Sequence, residues 1–235
     1  MKTIKENLVF ANEFAKIFNN DVEFKNGLKG THFLVETSDS VSVLPITTDG
    51  KFVLVDIERY GMGGFSLEFP AGGINEGETS HDASKRELSE ETGMEALKMT
   101  HHFTSIANPS IQSSHSVGYI GWGCQKAEHA KEADPLENIG AVRFVTASEL
   151  YELCTSGKIV NASTLATAMS FFMSLSPVKP KELDDKNFAF IMGVYNSAIG
   201  KNKMSSPFRN MGFEKDYTHD FEKGFNHHHH TKVVR

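Results

Sequence analysis

The stretch GGINEGETSHDASKRELSEETGM, residues 72–94, decides how the rest of the chain is read. It passes from a glycine-rich loop into helical spacing: Thr79 or Ser80 can cap a helix, Asp82 stands in its first turn, and Gly93 stops it. Within this predicted helix Glu87, Glu90 and Glu91 fall at i, i+3 and i+4, so three carboxylates project from one side over a single turn. Like charges at that spacing weaken a helix by roughly a few tenths of a kcal/mol per pair, and near the C-terminus the macrodipole adds to the penalty. A bound Mg²⁺ or Mn²⁺ is the simplest compensation, because these hard ions prefer carboxylate and carbonyl oxygen and often also bind substrate phosphates. The bland alternative is a solvated acidic face. It is weakened here by the glycine-rich loop upstream, by Glu78 and by the adjacent Arg86.

Upstream of this segment the chain is β-rich. Val41, Val43, Leu44, Pro45 and Ile46, then Thr48-Asp49-Gly50, then Phe52 to Val55, predict a strand, a turn and a second strand; Phe65 to Phe69 predicts a third that runs into Pro70-Ala71-Gly72-Gly73. Between Leu8 and Glu36 two or three short strands are expected, broken by the turn Lys25-Asn26-Gly27. So few strands cannot bury a face alone, and this arm should need a partner surface. Downstream, strands are expected around Thr100 to Ile106, Ser116 to Gly123 and Gly140 to Val145, then helices over Ala147 to Thr155 and Ala162 to Ser174. After Pro177 and Pro180 a further helix carrying Phe188, Phe190, Ile191, Val194 and Ile199 precedes a polar tail containing His227 to His230, four histidines that could hold a metal but read more readily as an exposed tail.

Bulk composition sets limits on function. A formal charge of -6 argues against wholesale nucleic-acid binding, which needs a basic surface, but not against a small anionic substrate held by a metal. Cys124 and Cys154 lack any metal or disulfide spacing and read as reduced thiols. No run of apolar residues is long enough for a membrane span and the N-terminus lacks an apolar signal core, so a cytoplasmic location is expected.

The spacing in residues 72–94 is Gly72, five residues, Glu78, seven residues, Arg86-Glu87-Leu88, one residue, Glu90-Glu91, one residue, Gly93-Met94. It resembles the Nudix box at every defined position. That resemblance implies an α/β fold, a Nudix α/β/α sandwich, here with an N-terminal β arm over residues 1–40, a catalytic domain over 41–175 and a C-terminal helical extension over 176–235. It further implies Glu87 and Glu91 as principal metal ligands and catalytic residues, Glu90 and the Ala71 carbonyl as additional ligands, and Arg86 as the group that orients the carboxylates. Glu78 and Gly93 are expected to be structural.

Resemblance to the ADP-ribose pyrophosphatase branch of the family extends beyond the box, over roughly residues 8 to 175. Glu68-Phe69-Pro70-Ala71-Gly72 is similar to that branch's entry to the box, Arg59 falls where several members carry a phosphate-contacting arginine, Pro109 lies close to a proline typical of the branch, and Gly157 to Thr164 resembles its C-terminal turn into a helix. Arg59, Glu68 and Pro109 are thereby expected to bind substrate, and the arm to cross to a second subunit of a homodimer. Two features depart from the branch: Glu58 stands where an aromatic residue is common, and Ser110 to His115 lacks an acidic residue. The catalytic base of similar enzymes comes from outside the box. Glu128, Glu132, Asp134 and Glu137 are the candidates, with Glu137 favoured because it is nearest the following strand. The expected reaction is metal-dependent hydrolysis of ADP-ribose, or a related nucleoside diphosphate sugar, to AMP and ribose 5-phosphate. The alternatives are hydrolysis of another nucleotide and a Nudix-like ligand-sensing transcription regulator. The latter is disfavoured by the intact carboxylate set and by an only slightly basic C-terminal region.

Overall fold

The computed structural model describes residues 1–130 and 137–174. The C-terminal helical extension, the histidine run, Glu132 and Asp134 lie outside the described residues. The first four strands, β1 (Lys2–Lys5), β2 (Leu8–Ala11), β3 (Ala15–Glu23) and β4 (Lys29–Thr37), form an antiparallel sheet. The arm thus has four strands where the sequence suggested two or three, with β4 along one edge of β3 and β1 and β2 in succession along the other. Between β1 and β2 the ladder is interrupted around Asn7, whose N–H donates to Asn20 Oδ1 (2.9 Å) and whose carbonyl accepts from Asn19 N–H (2.9 Å). Side-chain and backbone bonds replace a stretch of ladder there.

The remaining strands are β5 (Ser40–Thr47), β6 (Phe52–Arg59), β7 (Gly64–Glu68), β8 (Ala71–Gly73), β9 (Met94–Glu95), β10 (Lys98–Ser105), β11 (Ser116–Lys126) and β12 (Ile139–Val145). The helices are α1 (Ser80–Thr92), α2 (Ala147–Thr155) and α3 (Ala162–Ser174). The main sheet is mixed, in the order β10-β11-β5-β6-β12, with β5 and β11 parallel. Strands β5 and β6 pair at Ile46 and Phe52 and then separate. In the resulting cleft β7 pairs with β6 and β8 with β5, while the Pro70 carbonyl between them accepts from Val43 N–H (2.8 Å). This split places Arg59, Glu68 and Ala71 around one opening in the sheet.

Helices cover both faces, as a sandwich requires. Val41 and Val43 point to the α1 side with Ala83 and Tyr119; Leu44 and Ile46 point to the α2 and α3 side with Trp122, Leu150 and Phe171. A strand buried on both faces shows near-continuous apolar sequence rather than alternation, which is how β5 reads. The α1 caps are those the sequence announced. Thr79 Oγ1 accepts from Asp82 N–H (3.1 Å), and Gly93 adopts the left-handed region (φ 66°) with its N–H donating to Ser89 O (2.9 Å). No helix among the described residues is long and apolar enough to cross a membrane.

Candidate functional site

Helix α1 is unusual in what it buries. Alongside Ala83 and Leu88 it turns Glu87 and Glu91 inward, leaving them 5% and 3% exposed. An ionised carboxylate taken out of water needs several strong donors or a cation. Glu87 has one such donor. Arg86 Nη1 donates to Glu87 Oε1 (2.6 Å) and to Glu90 Oε2 (3.0 Å). The same guanidinium donates from Nε and Nη2 to the two oxygens of Glu78 (2.9 and 3.0 Å) and from Nη2 to the Gly73 carbonyl (2.7 Å). Five bonds use all five N–H groups of an arginine. The bonds to Glu78 above all, and then those to Glu90 and Glu87, raise the arginine's pKa, so it stays charged. Glu78 also accepts from Asn75 N–H (3.1 Å), closing the glycine-containing turn before the helix. Arg86 therefore ties the loop to the carboxylates.

Glu91 is different. Among the described residues neither of its oxygens has a hydrogen-bond partner. Burial, then the neighbouring charges of Glu87 and Glu137, push its pKa up to about 9, while the Ala71 N–H, in contact but short of hydrogen-bond geometry, and Arg59 pull the other way. Glu87 is raised in the same sense, by burial first, against the pull of Arg86. Gly72 makes room for this cluster: a β-carbon there would overlap the Glu87 carboxylate. Gly72→Ala is thus expected to displace Glu87 and reduce kcat by about a hundredfold, since a small misplacement of a reacting group is enough for that. The check is steady-state turnover at saturating Mg²⁺ together with a circular dichroism spectrum showing an intact fold.

The structure brings Glu137 and Arg59 to the same place. Glu137 is close enough to Glu87, Glu91 and Arg59 for its charge to act on all three. It is held there by its neighbour Asn138, whose Nδ2 donates to Glu58 Oε2 (2.6 Å) and whose carbonyl accepts from Glu58 N–H (3.1 Å). Arg59 Nε and Nη2 donate to Glu68 Oε1 (3.1 Å) and Oε2 (2.8 Å). Glu68 is 1% exposed, so it stands behind Arg59 rather than at an open surface. Its Oε2 also accepts from Asn161 Nδ2 (2.9 Å), a residue whose sequence context marks only a turn into a helix. Pro109 lies exposed on the turn Asn108 to Gln112. That turn is joined to the arm by Val35 N–H donating to Ile111 O (2.7 Å), and Glu128 is exposed on its own loop.

Among the described residues, no three His, Cys, Asp or Glu side chains converge as a ready-made cage for a metal. Oxygens of Glu87 and Glu90 are turned to Arg86 instead. The donor set still suits a hard divalent cation: carboxylate oxygens, the backbone carbonyl of Ala71 in β8, and one buried carboxylate without a hydrogen-bond partner among the described residues.

The NUDIX domain family profile matches residues 36–167. The methanol dehydrogenase activator of Bacillus methanolicus is 29% identical over 164 residues, covering 70% of this chain and 88% of that protein. The ADP-ribose pyrophosphatase of Bacillus subtilis strain 168 is 28% identical over 163 residues, 69% and 88% of the two chains. The ADP-sugar pyrophosphatase of Mus musculus shares 44% identity over 62 residues, 25% of this chain and 28% of that one. A crystal structure described as an ADP compounds hydrolase superposes with a TM-score of 0.67 at 22% identity, covering 74% of this chain and 93% of the other, a likeness that shows the fold.

Proposed function

This chain belongs to the NUDIX domain family and is a Nudix hydrolase, and from that premise we propose that it cleaves the diphosphate of ADP-ribose or a related nucleoside diphosphate sugar. The observation that carries the chemistry is Glu91, buried and without a hydrogen-bond partner among the described residues, beside an arginine-ordered Glu87. Glu87, Glu90, Glu91 and the Ala71 carbonyl would hold the divalent cation, Mg²⁺ or Mn²⁺. Bound there, such an ion supplies Lewis acidity toward phosphoryl oxygens and lowers the pKa of water. Arg86 sets the carboxylate positions. Arg59, with its side chain 37% exposed, presents positive charge to the diphosphate. Glu137 accepts the proton of the attacking water, which adds to one phosphorus as the bond from that phosphorus to the bridging oxygen breaks, leaving AMP and ribose 5-phosphate. A ligand-sensing regulator has no use for buried carboxylates whose ionisation opposes folding.

The substrate class rests on the two pyrophosphatase relatives and on Arg59 lying beside the carboxylates. The same reading makes the protein a homodimer through its arm, where Leu8, Val9, Phe10, Phe14 and Leu28 are exposed. Incubation with Mg²⁺ and ADP-ribose, other nucleotide sugars, a dinucleotide cofactor and a deoxynucleoside triphosphate, with products separated by chromatography, tests the substrate. ADP-ribose is expected to give AMP and ribose 5-phosphate with the highest kcat/KM; preference for the triphosphate would reject the substrate class. Arg59→Ala should raise KM by about tenfold or more and lower kcat less, as expected for a contact equally strong in ground and transition states.

A further inference from the structure

We propose that Asn161, at the N-terminus of α3, is a positioning residue for Arg59, acting through Glu68; this rests on the reading of Arg59 as the diphosphate grip. The path runs through three consecutive side chains. Arg59 donates twice to Glu68, and Glu68 Oε2 takes a further bond from Asn161 Nδ2 at 2.9 Å. The Asn161 amide is oriented in turn, because its Oδ1 accepts from Thr164 N–H (2.9 Å). One amide atom faces a backbone donor and the other a carboxylate, so oxygen and nitrogen are assigned without ambiguity. Thr164 completes a reciprocal clip, its Oγ1 accepting from Phe69 N–H (3.1 Å). The end of β7 and the first turn of α3 thus exchange two hydrogen bonds, although Asn161 and Glu68 are 93 residues apart. Behind them α3 is anchored in the core by Thr167, Ala168 and Phe171.

A buried carboxylate with only an arginine partner can rotate and carry the guanidinium with it. The third donor removes that freedom. Asn161 therefore transfers the rigidity of α3 to a strand-end arginine whose own position, at the tip of β6, is half exposed.

The competing account is that Asn161 merely caps α3. Asn161→Ser separates the two, since serine is an equally good cap but too short to reach Glu68. With ADP-ribose, or whichever derivative the substrate panel ranks first, N161S is expected to raise KM roughly fivefold to tenfold with kcat within about twofold. Loss of one donor to the buried Glu68 should lower the melting temperature by roughly a few degrees with or without Arg59, whereas the rise in KM should appear only where Arg59 is present. In an Arg59→Ala background the same substitution should change kcat/KM by less than about twofold, because the path ends at Arg59. Asn161→Gly, also tolerated at a cap, gives the same comparison should N161S fold poorly. An unchanged KM in both single variants, or effects that multiply in the double variant, would overturn the positioning role. If Arg59→Ala alone leaves KM unchanged, the diphosphate grip itself fails and the inference goes with it.

Discussion

Glu91→Gln should remove about three orders of magnitude of turnover while making the metal-free protein more stable at neutral and alkaline pH. Both effects come from one carboxylate. In the fold Glu91 is buried with no hydrogen-bond partner among the described residues and its pKa is pushed up to about 9, whereas in the unfolded chain it titrates near 4.5. Between those values the folded state binds a proton that the unfolded state has released, so stability falls as pH rises through that window and levels off above it. At pH 7 this costs on the order of a few kcal/mol, equivalent to several degrees in Tm for a domain of this size. Glu87, raised for the same main reason, adds to the slope. Glutamine fills the site without a charge to desolvate and removes Glu91's share of the slope, leaving that of Glu87, but it also loses the anionic ligand. Thermal melts of both proteins from pH 5 to 9 in EDTA, and again with Mg²⁺, check the linkage. The parent should gain more from Mg²⁺ as pH rises, since the cation takes the place of the proton. Near-normal turnover of the variant at saturating Mg²⁺ would remove Glu91 from the ligand set; parallel melting curves would remove it as the source of the pH dependence.

That destabilising carboxylate is also what made the site legible in sequence. Three glutamates on one helical turn are costly wherever they point, so their spacing with Arg86 and Glu78 carries meaning that single acidic residues lack. The elements around them were readable for local reasons. Thr79 and Gly93 bound α1 through cap chemistry, and the helices at Ala147–Thr155 and Ala162–Ser174 appear at the limits their sequences suggested. What escaped was non-local or unusually exposed. The parallel pairing of β5 with β11 joins segments far apart in sequence. Strands β1 and β2, written as LysThrIleLys and LeuValPheAla, are exposed at every residue and have no buried face to impose alternation. Glu68 could be placed beside the box by its position before Pro70, but that it is buried behind Arg59 and held by Asn161 depends on the split between β5 and β6 and on a contact from the last described helix.

If the arm forms the proposed dimer contact, removing residues 1–36 is expected to leave a monomeric or aggregating species with poor substrate affinity. The arm ends in β4, whose Val35 N–H donates to Ile111 O and whose Thr37 Oγ1 donates to Ser114 Oγ (2.8 Å), so it is fastened to the stretch that carries Pro109. Its other surfaces carry large exposed apolar side chains, among them Val9 at 60% and Phe14 at 72%. Exposed apolar side chains in such number on a small sheet are unfavourable in water, and the proposed twofold dimer would let one such sheet serve both subunits. On this reading deletion has two consequences. It would strip the cover from the partner, and it removes the Val35 bond to Ile111, loosening the 108–112 turn that carries Pro109, while Thr37, Asp39 and Ser40 still hold Ser114 and His115. Sedimentation velocity of the parent and the truncated chain measures the first, and KM for ADP-ribose the second. Phe10→Asp with Val9→Lys supplies a version that keeps β4 in place: it should dissociate the dimer while leaving Val35 and Thr37 bonded to the loop. If this full-length variant and the truncated chain both remain soluble and fully active as monomers, the arm plays no part in assembly or in substrate binding, since neither loss of the partner nor loss of the β4 seam would then have reached the site.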